Sequence, residues 1–234
     1  MVEFSTATPV AGLRPSPSCS TAAYDSAAGR GSYRTRLQLP RRVGTARIAT
    51  VFTHAFIAVA FGRAAFPRKM PWTFWPMAMA CSALPDLDVA LHAYGVKYGD
   101  PWGHRGITHS LAFAAVLSLT VVWGVYRNHA RHFSRRWWAL FTFFFLITAS
   151  HGFLDAFTDG GHGVAFFAPF DNTRYFMPWR PMHVSPLGVH GVFTPYFADV
   201  LRSELWWVCL PTLAITAPII LWRTWLQVSR NHAA

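Results

Sequence analysis

Residues 107–126 read ITHSLAFAAVLSLTVVWGVY, and this stretch decides the fold. It contains no Asp, Glu, Lys or Arg, and a helix crossing the hydrocarbon core of a bilayer needs about 20 predominantly apolar residues. Lipid offers no water to the backbone, so such a run must satisfy its N–H and C=O groups internally, as a helix. Four further apolar stretches flank it: Arg47 to Phe66, interrupted by Arg63; Trp72 to Leu84, short and ended by Pro85; Trp137 to Phe157; and Leu205 to Leu226. The last is also long enough to span. Tryptophans gather at their ends, at Trp72 and Trp75, Trp137 and Trp138, Trp206 and Trp207, and Trp222 and Trp225, as they do where helices meet the membrane–water boundary. The fold class expected is therefore an all-α integral membrane protein, a bundle of four to five transmembrane or membrane-embedded helices. A soluble all-α protein with a very apolar core is the competing architecture.

Composition favours the membrane. Hydrophobic residues make up 53% of the chain and charged residues only 13%, with a mean hydropathy of +0.24; soluble domains carry about 25% charged residues. The net charge of +11 lies at the ends of the apolar runs and in the N-terminal tail. No soluble segment interleaves basic and aromatic side chains, so no nucleic-acid partner is expected. Cys19, Cys81 and Cys209 are scattered, which predicts neither a disulfide framework nor a thiolate-bound metal. Residues 1–46 are rich in Ala, Ser, Thr, Pro and Arg and hold only Glu3 and Asp25 as acids. They are expected to form a disordered basic extension, with the composition of a transit peptide or of an upstream extension of a bacterial reading frame. Residues 47–234 form the membrane-embedded domain.

If the helices alternate in direction, charge sorts to two sides. Arg63, Arg68 and Lys69 follow the first stretch, Arg127, Arg131, Arg135 and Arg136 separate the third from the fourth, and Arg223 and Arg230 end the fifth. All fall on one side. The opposite side receives Asp86, Asp88, Asp100, Asp155, Asp159, Asp171, Asp199 and Glu204. The excess of Lys and Arg in cytoplasmic loops of membrane proteins places the basic side in the cytoplasm and the acidic side away from it.

The acidic side also collects the histidines. His54 comes from the first helix, Asp86 and Asp88 from the end of the second, His104 and His109 from the start of the third, and His151, Asp155 and Asp159 from the end of the fourth. His151, Asp155 and Asp159 are spaced four apart and share a helix face. They suit one cation between them, or a His–Asp hydrogen bond within the helix. In Leu84-Pro85-Asp86-Leu87-Asp88, Pro85 is expected to break the helix, and an extended segment then sends both carboxylates one way. Paired carboxylates repel unless a cation or proton separates them. His104 and His109 are five apart and share no helix face, so His104 must lie in the loop, with Gly106 permitting the turn. Arg105 is a planar cation suited to an oxyanion or phosphate; Thr108 and Ser110 are placed to bond a ligand or cap the helix. Residues 158–204, containing Asp171, Arg174, Arg180, His183 and His190, read as a lid or as a packed interfacial loop.

These motifs resemble a known family, the YdjM-type membrane-bound metal-dependent hydrolases, some of them described as regulated by LexA in the DNA-damage response. The resemblance is carried by FTHAF (52–56), LPDLDV (84–89), HRGITHS (104–110), HGFLDAFTDGG (151–161) and FAPFDNTRYFMPWRP (167–181), and covers residues 47 to 226. It implies that His54, Asp86, Asp88, His104, His109, His151, Asp155 and Asp159 form the polar site. The His151–Asp155 step is also similar to that of zinc-dependent phospholipase C and P1-type nucleases.

Histidine and aspartate without cysteine suit Zn²⁺, Mn²⁺ or Fe²⁺, as one ion or two. The expected activity is hydrolysis of an ester or phosphoester, lipid or small molecule, at the surface of a bacterial inner membrane. Arg105 would stabilise the developing negative charge, and Asp88 or Asp159, when not ligating, would take the proton. The alternative is a metal-binding membrane protein or transporter without hydrolytic chemistry.

Overall fold

A computed structural model describes residues 48–66, 69–184 and 195–232. The expected N-terminal extension, Arg47, Arg68 and His190 lie outside the described residues. Among those described, the regular elements are helical: α1 (Ile48–Ala65), α2 (Phe74–Ala83), α3 (Leu111–Gly124), α4 (Arg135–Ala156), α5 (Pro195–Glu204) and α6 (Leu210–His232). Pairing between extended residues is confined to the isolated bridges Thr158–Met182 and Val164–Tyr175.

Serine caps set two of the helix starts. The Ser110 Oγ accepts a hydrogen bond from the Phe113 N–H at the head of α3, and the Ser134 Oγ accepts from the Trp137 N–H at the head of α4, each satisfying a donor that has no partner inside the helix. α4 has 22 residues, about 33 Å at 1.5 Å per residue, against a hydrocarbon core of about 30 Å. α5, a π-helical turn at Leu205–Cys209, and α6 join into a continuous helical run, Pro195–Asn231, of 37 residues. By length and composition, α4 and this run are the two helices suited to crossing a membrane. The second run begins ten residues before the apolar stretch read from sequence. Residues 195–204 read PYFADVLRSE, a mix of polar and apolar side chains after a Pro that fits the first helical turn, so hydropathy alone misses them.

The core lies between α1, α2, α3 and α4. Phe74 is fully buried, and its ring centroid is 5.1 Å from that of Phe143; Tyr126, Trp137, Leu140 and Phe144 complete the packing. Large apolar side chains also point outward, including Leu146, Phe153, Ile215 and Leu221, each more than half exposed. Apolar surface on that scale suits a lipid surround better than water. At the basic end, the Arg223 guanidinium donates to the carbonyl of Ala64 and ties α6 to α1.

The segment after α2 differs from expectation. Pro85 does not start an extended stretch: residues Leu84–Tyr94 form a 3₁₀ helix. Proline is accepted in a first helical turn, where its missing N–H would have had no partner. With three residues per turn, Asp86 and Asp88 point to different sides of this helix and reach the polar cluster at two levels.

Two glycines bring backbones into contact beneath that cluster. A Cβ on Gly106 would lie 2.1 Å from the Pro101 carbonyl oxygen, and a Cβ on Gly152 would lie 2.6 Å from the His109 carbonyl oxygen. Gly106 lets the 101–106 turn close, and Gly152 lets α4 press against the segment carrying His109. Gly152→Ala should lower the melting temperature of the detergent-solubilised protein, at a cost of about 1–3 kcal/mol for overpacking. An unchanged melting temperature would contradict the close approach.

Candidate metal centre

The acidic ends of α1 and α4, the 3₁₀ segment after α2, and the turn before α3 bring their polar side chains together. Asp86 Oδ1 lies 3.3 Å from His151 Nε2 and 3.6 Å from His109 Nε2, and His109 Nε2 lies 3.4 Å from Asp155 Oδ2. One ligand-capable atom from each of Asp86, His104, His109 and Asp155 lies within 4.8 Å of the others, and the same holds for His54, His151 and Asp155. Ligands held about 2.0–2.2 Å from one tetrahedral ion are roughly 3.3 Å from each other. The observed spacing matches that figure better than it matches hydrogen bonds of 2.7–3.0 Å.

Hydrogen bonds fix the tautomers. His104 Nδ1 donates to Asp88 Oδ1 at 2.7 Å. The Thr108 hydroxyl donates to Asp88 Oδ2 at 2.6 Å, and His109 Nδ1 is 3.0 Å from that hydroxyl oxygen and 3.2 Å from Asp88 Oδ2. His151 Nδ1 donates to the Ser82 carbonyl at 2.8 Å. Carbonyls and ionised carboxylates only accept, so each of these rings carries a proton on Nδ1, which leaves Nε2 as the atom that can meet a metal ion. Metal-ligating histidines are held in this way by partners beyond the ligand shell. Burial alone would raise the Asp88 carboxyl, but the bonds from His104 and His109 outweigh it and hold the group well below the usual carboxylate range. His54 stacks on His151 with ring centroids 3.9 Å apart.

Charge points the same way. Asp86, Asp88 and Asp155 bring three negative charges, and Arg105 one positive charge, into a cluster whose side chains are at most 7% exposed. A buried excess of negative charge is costly unless a cation meets it. The donor set fits a divalent ion without thiolate ligands, as the sequence predicts.

Six of the eight predicted ligands supply atoms to the two groups: His54, Asp86, His104, His109, His151 and Asp155. Asp88 sits one layer behind and bonds the histidines. Asp159 is not brought to the cluster: its carboxylate accepts from His183 Nδ1 at 2.8 Å and from the Val184 N–H at 2.9 Å, because α4 ends at Ala156 and the i+4 step does not continue. Partial burial would raise the Asp159 carboxyl, and the His183 and Val184 bonds instead hold it below its ordinary value.

Arg105 also departs from expectation. It is fully buried, its Nε lies 2.9 Å from Asp155 Oδ2, and its terminal nitrogens donate to the Gly160 carbonyl and the Thr158 hydroxyl. The fork is already committed to protein acceptors. Its backbone is left-handed, with φ of 64°, and is held there by a bond from its N–H to Asp88 and one to its carbonyl from the Ala165 N–H.

Residues 158–184 pack over this end. Arg174 donates to the carbonyls of His104, Tyr98 and Asp100, and the Leu111 N–H at the head of α3 bonds the Phe166 carbonyl. Beneath them lies a cavity of about 10 Å³ lined by Thr53, His54, Arg105, Asp155, His183 and Glu204, among others, enough for about one water molecule. Glu204 is 5% exposed, and the Thr53 hydroxyl donates to its Oε2 at 2.6 Å. In the sequence, Glu204 stands out only as one of the acids on this side. A carboxylate directly before an apolar run was the available signal.

The model of the YdjM inner membrane protein family matches residues 49–228. The chain belongs to that family. It is 37% identical over 174 residues to the inner membrane protein YbcI of Escherichia coli strain K12, covering 74% of this chain and 98% of that relative. No solved structure matches. The family is one of membrane proteins, which accounts for the outward-facing apolar side chains of α4 and α6.

If Asp88 orients both histidines, Asp88→Asn should weaken metal affinity about 10–100-fold while leaving insertion intact. Chelator competition on the purified protein measures it, and wild-type affinity in the variant would remove Asp88 from that role.

Proposed function

We propose that this protein is a metal-dependent hydrolase of esters or phosphoesters at the membrane surface. The observation that carries the reading is the convergence of imidazole Nε2 atoms, fixed by Nδ1 bonds, beside a one-water cavity bounded by carboxylates. His109, His151, Asp86 and Asp155 would hold the ion, with His104 and His54 completing two overlapping groups. Asp155 belongs to both groups, so either one ion or two would draw on it. Zn²⁺ suits the donors, as do Mn²⁺ and Fe²⁺. A bound divalent ion supplies Lewis acidity, polarising the scissile group and making a water acidic near neutral pH.

The chain's own residues supply the rest. Glu204 lines the cavity and takes the proton of the attacking water. The water oxygen bonds to the phosphorus or acyl carbon, the ester bond to the leaving oxygen breaks, and Glu204 returns the proton to that oxygen. Thr53 positions the Glu204 carboxylate. Arg105 positions Asp155 and is a positioning residue, not an oxyanion donor. In this reading α4 and the α5–α6 run span the bilayer, the shorter α1, α2 and α3 are embedded beside them, and the basic end is cytoplasmic, leaving the site on the other side. The cluster lies at helix ends, whereas transport sites lie near the bilayer midplane.

The test is elemental analysis of the detergent-purified protein together with hydrolysis of a panel of phosphoesters and carboxylic esters, before and after chelation and metal return. Stoichiometric divalent metal and chelator-sensitive turnover are expected. Glu204→Gln should retain its metal and lose turnover by about 10²-fold or more. Metal-loaded protein inactive across the panel would favour a non-hydrolytic metal-binding membrane protein.

A further inference from the structure

The one-water cavity at the metal centre shares lining residues with two larger spaces of opposite character. On one side His183 is shared with a polar pocket of about 430 Å³ that also contains Arg202, Asp199 and Ser203. On the other, Leu154 and Val208 are shared with a groove of about 450 Å³ walled by Phe61, Ala149, Phe153 and Ile215. The side chains that line the groove are overwhelmingly apolar. Through Ile57, Phe61, Leu146 and Ser150 it continues into a second apolar space of about 670 Å³ that reaches Trp138 and Arg135. Leu154 and Trp138 are both on α4, sixteen residues apart, so the combined groove runs about 24 Å at 1.5 Å per residue.

The π-helical turn builds the junction. Within Leu205–Cys209, Val208 is buried against the cavity, while Trp207 lines both the polar pocket and the groove. Trp207 is held edge-on against Trp179 of the overlying segment, with ring centroids 4.6 Å apart. It therefore divides a polar compartment from an apolar one directly beside the metal centre. π-turns are rare, and many occur at functional sites.

The geometry points to a membrane amphiphile as the substrate of this site: a long-chain lipid whose chain lies in the α1–α4–α6 groove and whose phosphoester head faces the polar pocket. This rests on the hydrolase reading above. A small soluble ester would make no use of a groove open to the bilayer, whereas a lipid reaches it laterally without leaving the membrane. Arg202 and His183 offer positive or donor groups to an anionic head, and Asp199 in the same pocket limits the negative charge it accepts. The head then sits within reach of Glu204, Asp155 and the cavity water, so that the bond broken is the one joining the polar and apolar parts or the terminal phosphoester.

The test uses the full metal-loaded chain in detergent and a lysophosphatidate carrying a diazirine midway along its acyl chain. After irradiation, labelled peptides are mapped. Labels are expected on the groove face of α4, at Leu146, Ala149 or Phe153, and should be displaced by unlabelled lysophosphatidate but not by inorganic phosphate. Ala149→Trp, and independently Ile215→Trp from the opposite wall, should each cut groove labelling about tenfold with metal content unchanged. Either variant should slow turnover of the long-chain substrate while leaving that of 4-nitrophenyl phosphate as in wild type. Labelling spread evenly over the outward faces of α4 and α6, indifferent to both substitutions, would mean bulk lipid and would overturn the inference. Specific groove labelling without turnover of either ester would sink the hydrolytic reading and leave the groove as a lipid-binding site.

Discussion

The Asp88 carboxylate accepts from His104 Nδ1, the Thr108 hydroxyl and the Arg105 N–H, and lies 3.2 Å from His109 Nδ1. The remainder of the polar site depends on this arrangement. It sets which nitrogen of each ring can meet a metal ion, and it anchors the left-handed turn at Arg105 that lets His104 and His109 converge from outside a common helix face. Arg105 then reaches across to Asp155, so a single carboxylate from the segment after α2 organises side chains of the α3 turn and of α4. Helix packing brings these elements together, and the hydrogen bonds complete the placement.

Much of the architecture was legible in the sequence because the bilayer imposes strong rules. Length, apolar content and tryptophan placement located α1, α3 and α4, although α3 is an α-helix only over Leu111–Gly124, shorter than the expected span of about 20 residues; helix alternation placed His54, Asp86, His104, His109, His151 and Asp155 at one end, where the structure brings them together. The family resemblance read from HRGITHS, LPDLD and HGFLD agrees with the family that the chain belongs to. What remained hidden involved local geometry and distant contacts. Pro85 begins a 3₁₀ helix where its sequence context suggests a break, since proline's effect depends on whether it falls at a first turn. Asp159 fitted the i, i+4 pattern but lay beyond the end of α4. Arg105 looked available because sequence cannot show that Asp155, Thr158 and Gly160 occupy its guanidinium. Glu204 was invisible as a site residue because its approach to Thr53 joins positions 151 residues apart.

The same constraints connect the site to the membrane. A buried cluster with excess negative charge would be expensive at the centre of a bilayer. At the helix ends, sealed by residues 158–184 and by the clamp of Arg174 on three carbonyls, it is shielded from bulk water yet remains beside a polar pocket. The interrupted α5–α6 run contributes to both surroundings, supplying Glu204 just before the π-helical turn and the apolar wall just after it.

The central claim is that histidine Nε2 and aspartate oxygen atoms hold a divalent ion, and X-ray absorption spectroscopy at the edge of the metal that co-purifies with the protein tests it most directly. The account predicts a shell of nitrogen and oxygen ligands at about 2.0–2.2 Å with imidazole scattering and no sulfur at about 2.3 Å. Protein that carries no stoichiometric divalent metal after isolation from metal-replete cells, or a shell containing sulfur, would contradict it.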